Sequence, residues 1–487
     1  MWLTCARAVS RCLGSVRIVL LAAILPLHEL GLFGIGLIAM QFADRFSETG
    51  MRQALIQKDG DIADYLGTAW TSQIFRGAAL SLIILLSATS IESFFEKEGL
   101  VQLLIVLAVI PLIQGFWNVG VFHLHREMRY EKVVFLGLAA SLTDLLVSVT
   151  LAWFWPFAMS LVVGKIAGVT TGLLMSYVIE ERRPSFKFSG TRFKELYQFG
   201  FWIFVGTLIS FALIRGGDVV IGKLLTESDL AIYQIAYGLA CVPLMEIMGS
   251  ISVTTFSAFS RIQNDRQRLA NAFLRVLALS SVISAFSITG FFCFSEDFTK
   301  LFFKEELQPV AAMLPWLAIW GACRALGSTN SVLFQAVGKP AYATLFQLLM
   351  LVLLACLVIP LVDRYESMGV VISLVVVGLV AQLGRYSLTI FELNISSKQI
   401  ATRVLAPLGV GVISWFATSL VVAAIPQNYH FIRMSAGFLT LTVVFIPLSC
   451  FTDKKLAFGI SAFALTQFPF LKRNFNKLSS QLTGGVK

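Results

Sequence analysis

Apolar runs of about twenty residues recur from one end of this chain to the other, and they constrain the fold more than any motif does. The hydrocarbon core of a bilayer is crossed by about 20 residues of helix. Inside it every backbone polar group must find its partner within the protein, which a helix does within a single segment. Fourteen such runs lie near residues 8–26, 30–50, 66–90, 100–122, 133–153, 157–179, 197–222, 229–256, 269–294, 309–336, 341–362, 368–391, 402–425 and 431–450. Only 14% of the residues are charged, against roughly 25% in a soluble domain. The expected fold class is an all-α polytopic membrane protein with about 14 transmembrane helices.

The basic residues set an orientation. With the N-terminus in the cytoplasm, loops on the cytoplasmic side hold 24 of the 38 Lys and Arg residues. Loops on the outer side hold six: Lys97, Lys223, Lys300, Lys304, Arg364 and Arg433. Such an excess marks the cytoplasmic side, so both termini are expected there. The net charge of +10 thus reads as membrane orientation and not as a nucleic-acid surface. Arg7 and Arg11 before a short apolar run resemble a cleavable signal, but the orientation count works only if the first run is retained. Residues 456–471, apolar but short and holding Pro469, read as an interfacial helix. The seven cysteines show no metal or disulfide spacing and read as small core residues.

An internal repeat is visible. Glu29-Leu30-Gly31-Leu32-Phe33 opens the second run, and Asp229-Leu230-Ala231-Ile232-Tyr233 opens the eighth. Phe122 and Tyr130 bracket a basic turn after run four, as Phe334 and Tyr342 do after run ten. Both matches are offset by six runs, so the halves would share one orientation and relate by an axis along the membrane normal. The expected organisation is two pseudo-symmetric six-helix lobes around a central cavity plus two C-terminal helices. Residues 1–180 form the N-terminal lobe, 181–196 a basic cytoplasmic linker and 197–392 the C-terminal lobe. The last two helices span 393–450, and 451–487 is a cytoplasmic tail.

Ionisable groups inside membrane segments are costly, and they mark water-filled paths or buried pairs. Arg17, Arg45, Arg275 and Arg385 lie near the cytoplasmic ends of their runs, where long side chains snorkel to the interface. Arg76, Lys165, Arg215 and Arg324 lie deeper, two in each lobe. Four deep cations suggest a cavity for an anion; the alternative is that each pairs with a buried acid to hold helices together. Asp144, Asp218 and Glu246 are the acids available. Arg215 and Asp218, three residues apart, can bridge on one helix face. The same acids are candidates for H+ or Na+ coupling, Glu246 in particular, because Pro243 interrupts its helix. Asp44 and Glu48 are expected to pair with Arg45 and Arg52. Gly164, Gly168 and Gly172 make a small-residue face for close helix packing. His123 and His125 have no carboxylate or thiol nearby and read as interfacial residues. No GxxxxGK[ST] loop is present, so nucleotide-driven transport by this chain alone is not expected; no cofactor is expected.

Several stretches carry a family likeness: GMRQALIQ (Gly50 to Gln57), DYLGTAWTSQIFRG (Asp64 to Gly77), DVVIGKLLTESDLAIYQIAYGLACVPL (Asp218 to Leu244) and CRALGSTNSVLFQAVGKPAY (Cys323 to Tyr342). They resemble the bacterial polysaccharide-export branch of the multidrug/oligosaccharidyl-lipid/polysaccharide flippase superfamily. The nearest likeness is to Wzx-type lipid-linked oligosaccharide flippases, over about residues 10–395. The resemblance implies alternating access in the bacterial inner membrane and a cargo of oligosaccharide on undecaprenyl diphosphate. It also implies service to a polysaccharide polymerase and its chain-length regulator, with no catalysis. Arg76, Arg215 and Arg324 fall in the matching segments; Lys165 does not match a known family cation. An ion-coupled small-molecule exporter of the same superfamily is the alternative. A membrane-bound polymerase or glycosyltransferase is a third, although the longest outer loop, 295–308, is too short for a catalytic domain.

Overall fold

A computed structural model describes residues 13, 14, 16–46, 63–121, 124, 130–181 and 183–456. Expectations for Cys5, Cys12, Glu48, Arg52, the Gly50–Gln57 motif, Phe122, His123, His125 and the 456–471 helix fall wholly or almost wholly outside those residues. The described residues are helical throughout their length, joined by short turns, with no strand among them.

Among the described residues, each of the fourteen apolar runs falls on a helix. The first, α1, covers 16–24. It is followed by α2 (Leu27–Phe46), α3 (Ala63–Phe95), α4 (Leu100–Gly115), α5 (Tyr130–Phe154), α6 (Ala158–Ile179) and α7 (Gly190–Leu224). Then come α8 (Glu227–Arg261), α9 (Arg266–Phe302) and α10 (Pro309–Ala336). The continuous stretch Pro340–Leu393 is two helices, because Glu366 has non-helical torsions (φ 51°, ψ −138°). We label them α11 (340–365) and α12 (367–393). The series ends with α13 (Ser397–Ala423) and α14 (His430–Leu456). Nine helical stretches among the described residues meet the length and hydropathy needed to cross a bilayer, the α11–α12 stretch counting as one. The chain is a multi-pass membrane protein.

The chain divides into two compact units. The first holds Met1–Glu246, Phe302–Met313 and Gln347–Val377; the second holds Ile247–Leu301, Leu314–Phe346 and Gly378–Lys487. Hydrocarbon gives apolar side chains little reason to leave lipid, so helices here associate through close packing and polar contacts. In the first unit α5 and α6 meet along the expected glycine face. A methyl group at Gly168 would sit 2.8 Å from the Ala140 carbonyl oxygen, and one at Gly164 would sit 2.8 Å from the Ser148 nitrogen. The third glycine, Gly172, admits the Trp117 ring instead, 2.6 Å from where a methyl would be.

The repeat-matched helix starts also meet. Gly31 of α2 lies against the backbone of Glu227 at the head of α8, and Gly34 lies against Gln234. Capping fixes that head, since Thr226 accepts from the Asp229 amide and Asp229 reaches back to the Thr226 amide. Loops assigned to the outer side meet there too: Lys97 with Glu227 and Lys223 with Glu96. Within the 181–196 linker, residues 185–189 lie along α3. Thr71 donates to the Lys187 carbonyl, the Ser189 amide donates to Thr68, and Trp70 meets Phe186 edge to face at 5.2 Å.

In the second unit, Phe259, Phe273, Leu277, Leu333 and Ile400 form one core at the end that carries Lys339, Arg266 and Glu392. Lys339 bonds both oxygens of Glu392, and Arg266 donates to its carbonyl. These are loops of the side assigned to the cytoplasm. The two C-terminal helices α13 and α14 pack on each other and on α9 through Ala285, Phe286, Val410, Leu441 and Phe445. At the outer side Asp297 of α9 accepts from Arg433 of α14 at 3.0 Å and meets His430 at 2.7 Å, and Arg433 also donates to the Ile425 carbonyl just past α13 at 3.2 Å.

Candidate functional site: paired charges within the membrane helices

Each deep cation of the first unit stands beside a carboxylate. The Arg76 guanidinium on α3 pairs with the Asp44 carboxylate on α2 and donates to the Asp44 carbonyl at 3.1 Å. Asp44 of α2 is thereby tied to α3, a partner that its sequence neighbours did not suggest. The Arg215 guanidinium on α7 donates to Asp218 at 3.2 Å and to Gln41 of α2 at 3.1 Å. Asp218 is buried and also accepts from Gln234 of α8 at 3.0 Å. The 215/218 spacing had this bridge in it; the further ties to α2 and α8 are tertiary. Close packing at Gly217, against Val370 and Tyr233, leaves no room for a side chain there.

Lys165 on α6 belongs to a third cluster. Its ammonium lies 3.9 Å from Asp144 of α5. The nearer partner of Asp144 is Arg17 of α1, at 3.0 Å, and Ser148 also donates to it at 3.0 Å. This corrects the expectation that Arg17 snorkels: its side chain is only 17% exposed and lies over the Phe33 ring. Two cations and one carboxylate leave a surplus positive charge. Lys165 carries it, at longer range and with 38% of its side chain exposed. Sequence alone missed Arg17 because the depth of a residue in the first run depends on where that helix starts. The signal available was a cation in an apolar run ten residues after Arg7.

Arg324 lies in the second unit, on α10, half-buried. One turn away the structure adds Arg385 of α12, which sequence had also assigned to the interface. It is 6% exposed, donates to Gln382 and lies over the Phe346 ring. Gly327 of α10 makes this burial feasible, since any side chain there would meet the guanidinium. Arg45 and Arg275 are exposed, as snorkelling requires. Glu246 is half-buried on α8, beyond a break at Cys241. That break sits two residues before Pro243, which has no N–H to return to the Leu239 carbonyl.

A cavity of about 330 Å³, mostly apolar in its lining with a few polar groups, opens beside Arg76. Asp44, Gln73, Gln114, Trp117 and Asn118 share its wall with Gly77, Gly115 and apolar residues of α3, α4 and α5. Gln73 is fixed by donating to the Gln114 carbonyl at 2.8 Å, and Asn118 accepts from the Gly120 amide at 2.9 Å. Close approach of α3 and α4 at Gly77 and Gly115 forms its floor. A diphosphate drawn in by Arg76 would also face Asp44; like charges about 4 Å apart repel by about 4 kcal/mol at an effective dielectric constant near 20. Among the described residues no three His, Cys, Asp or Glu side chains are grouped as metal ligands.

Comparison with known proteins fits this arrangement. The chain is 25% identical over 344 residues to the lipopolysaccharide biosynthesis protein WzxC of Escherichia coli (strain K12), covering 69% of each chain. It is 20% identical over 348 residues to the succinoglycan biosynthesis transport protein ExoT of Rhizobium meliloti (strain 1021), covering 66% of this chain and 70% of that one. Its fold matches that of the lipid II flippase MurJ in an inward closed conformation, with a TM-score of 0.76 at 17% identity over 94% of this chain and 99% of the other. A family model described as polysaccharide biosynthesis protein matches residues 20–312. That match takes in α2 through α9, with the Asp44–Arg76 and Arg215–Asp218 pairs and Lys165 beside Asp144, and the chain belongs to the polysaccharide biosynthesis protein family.

Proposed function

We propose that this protein is a flippase for undecaprenyl-diphosphate-linked oligosaccharide repeat units. It moves them from the cytoplasmic to the periplasmic leaflet of the bacterial inner membrane by alternating access, with both termini in the cytoplasm. The observation that carries this reading is the set of charged groups held within the membrane helices, with a cavity beside the Asp44–Arg76 pair, in a chain with the fold of a lipid II flippase. A diphosphate bearing several sugars cannot cross a bilayer unaided, because each unsatisfied polar group costs several kcal/mol there. It needs a wet path with cations for the diphosphate and hydrogen-bonding groups for the glycan. Lys165, as the surplus cation of its cluster, is a diphosphate contact in the first unit, and Arg324 is a candidate cargo cation in the second. Arg76 and Arg215, each beside a carboxylate, shape the path without a net charge. Uptake of H+ or Na+ at Glu246, next to the helix break, drives the cycle, and Asp144 and Asp218 hold helices together. The flipped unit passes to a polymerase and chain-length regulator. No bond is made or broken in this cycle.

The test is made in cells that lack the protein. Lipid-linked oligosaccharide is extracted and complete repeat units are quantified beside surface polysaccharide. Complete units should accumulate and polymer should be lost; Lys165→Met and Arg324→Ala should reproduce the block at normal protein levels. Unchanged units and unchanged polymer would overturn the reading and favour a small-molecule exporter.

A further inference from the structure

The cavity beside Arg76 has a chemistry distinct from that of a diphosphate site. Its two formal charges cancel, since Arg76 is held by the carboxylate and the carbonyl of Asp44. What remains is neutral: a largely apolar wall with a few hydrogen-bonding groups set in it, as suits a sugar ring with its apolar face and its hydroxyl edge. Gln114 is exposed on the wall, and Gln73 stands beside it with its amide anchored to the Gln114 and Gly115 carbonyls. Trp117 supplies a flat indole whose benzo edge packs on Gly172. Its Nε1 is buried with no hydrogen-bond partner in the protein. A buried donor without an acceptor is costly, so an incoming hydroxyl is the natural remedy.

We propose that this cavity is a glycan subsite that holds a neutral pyranose ring of the translocated unit. This rests on the flippase reading and names what that part of the path binds. The ring lies on the Trp117 face, and a sugar hydroxyl accepts from Trp117 Nε1. Adjacent hydroxyls use the Asp44–Arg76 pair, one donating to the carboxylate and its neighbour accepting from the guanidinium. Gln114 meets a further hydroxyl. A volume of about 330 Å³ is at the small end of ligand pockets, which run from about 300 to 1,000 Å³. It has room for one or two rings and not for a whole repeat unit. The diphosphate is excluded by Asp44 and is left to cations elsewhere on the path.

The experiment uses full-length protein purified in detergent and two lipids. One is the lipid-linked repeat unit extracted from cells lacking the protein; the other is undecaprenyl diphosphate without sugar. Binding is read by native mass spectrometry for wild type, Trp117→Phe and Gln114→Ala. Trp117→Phe keeps an aromatic face but removes the N–H together with one ring of the indole, and Gln114 is exposed, so melting curves matching wild type are required of both variants before binding is compared. Each variant should weaken binding of the glycosylated lipid about three- to tenfold, the worth of a neutral hydrogen bond, and leave the sugar-free lipid unchanged. Equal weakening for both lipids would make the cavity a diphosphate site and overturn the proposal. Wild-type affinity of both variants for the glycosylated lipid would overturn it as well, with the flippase reading intact. If wild type binds neither lipid, the flippase reading fails and the subsite falls with it.

Discussion

Removing the carboxylate of the Arg17–Asp144–Lys165 cluster should be far more damaging than removing its lysine. In Asp144→Asn the Arg17 guanidinium and the Lys165 ammonium, both within 4 Å of the Asp144 carboxylate in the native protein, are left with no negative charge between them. Two such cations lie within roughly 8 Å of each other, where an effective dielectric constant near 20 gives a repulsion of about 2 kcal/mol. The lost attraction adds to it, and breaking a buried pair by deleting one partner costs about 3–5 kcal/mol in total. Lys165→Met, by contrast, removes the distant and partly exposed cation and leaves a balanced Arg17–Asp144 pair, at a cost below about 1 kcal/mol. The double variant Asp144→Asn/Lys165→Met should then recover about 1–2 kcal/mol relative to Asp144→Asn, a coupling that a double-mutant cycle isolates. The assay is heat-induced loss of the monodisperse peak of detergent-purified protein, with all four proteins measured side by side. If Asp144→Asn melts like wild type, or if Lys165→Met fails to rescue it, the three groups do not share one field and the assignment of Lys165 as surplus cation is wrong.

Three further outcomes follow from single positions. A methyl group at Gly168 collides with the α5 backbone, whereas one at Gly137 meets nothing within 4 Å; Gly168→Ala should therefore destabilise by about 1–3 kcal/mol and Gly137→Ala stabilise by about 0.5–1 kcal/mol, and melting in the reverse order would refute the α5–α6 contact. Glu366 holds a positive φ that favours glycine, so Glu366→Gly should raise stability by about 1 kcal/mol or more, checked by the same melting assay. The Lys223 ammonium, bonded at 2.6 Å, holds the Glu96 carboxyl below its ordinary range. A depressed carboxyl stabilises above the unfolded pKa and loses that effect as pH falls through the folded one, so wild type should exceed Glu96→Gln at pH 7 and the two should converge below about pH 4.

Much of this protein is written in its hydropathy. In their described residues all fourteen runs fall on helices, even where Pro340–Leu393 continues without a loop, because the need to satisfy the backbone in hydrocarbon leaves no other local choice. The Gly164/168/172 face was legible for the same reason: a four-residue period of small side chains has one use in a helix. The Arg215–Asp218 bridge was legible because both ends lie on one helix face. Everything that joins separate helices was not. Arg17 and Arg385 read as interfacial from their positions in a run, yet one reaches Asp144 and the other fills the space left by Gly327. Arg76 read as an open anion ligand, and its neutralisation by Asp44 came from a helix 32 residues earlier. Trp117 carried no signal at all, because an aromatic at a helix end is ordinary until its neighbours are known. The sequence by itself determined which segments enter the membrane and how many charges enter with them. Which charges cancel, and which one is left over, depends on distances of a few ångströms between helices far apart in the chain, and only the tertiary structure decided that.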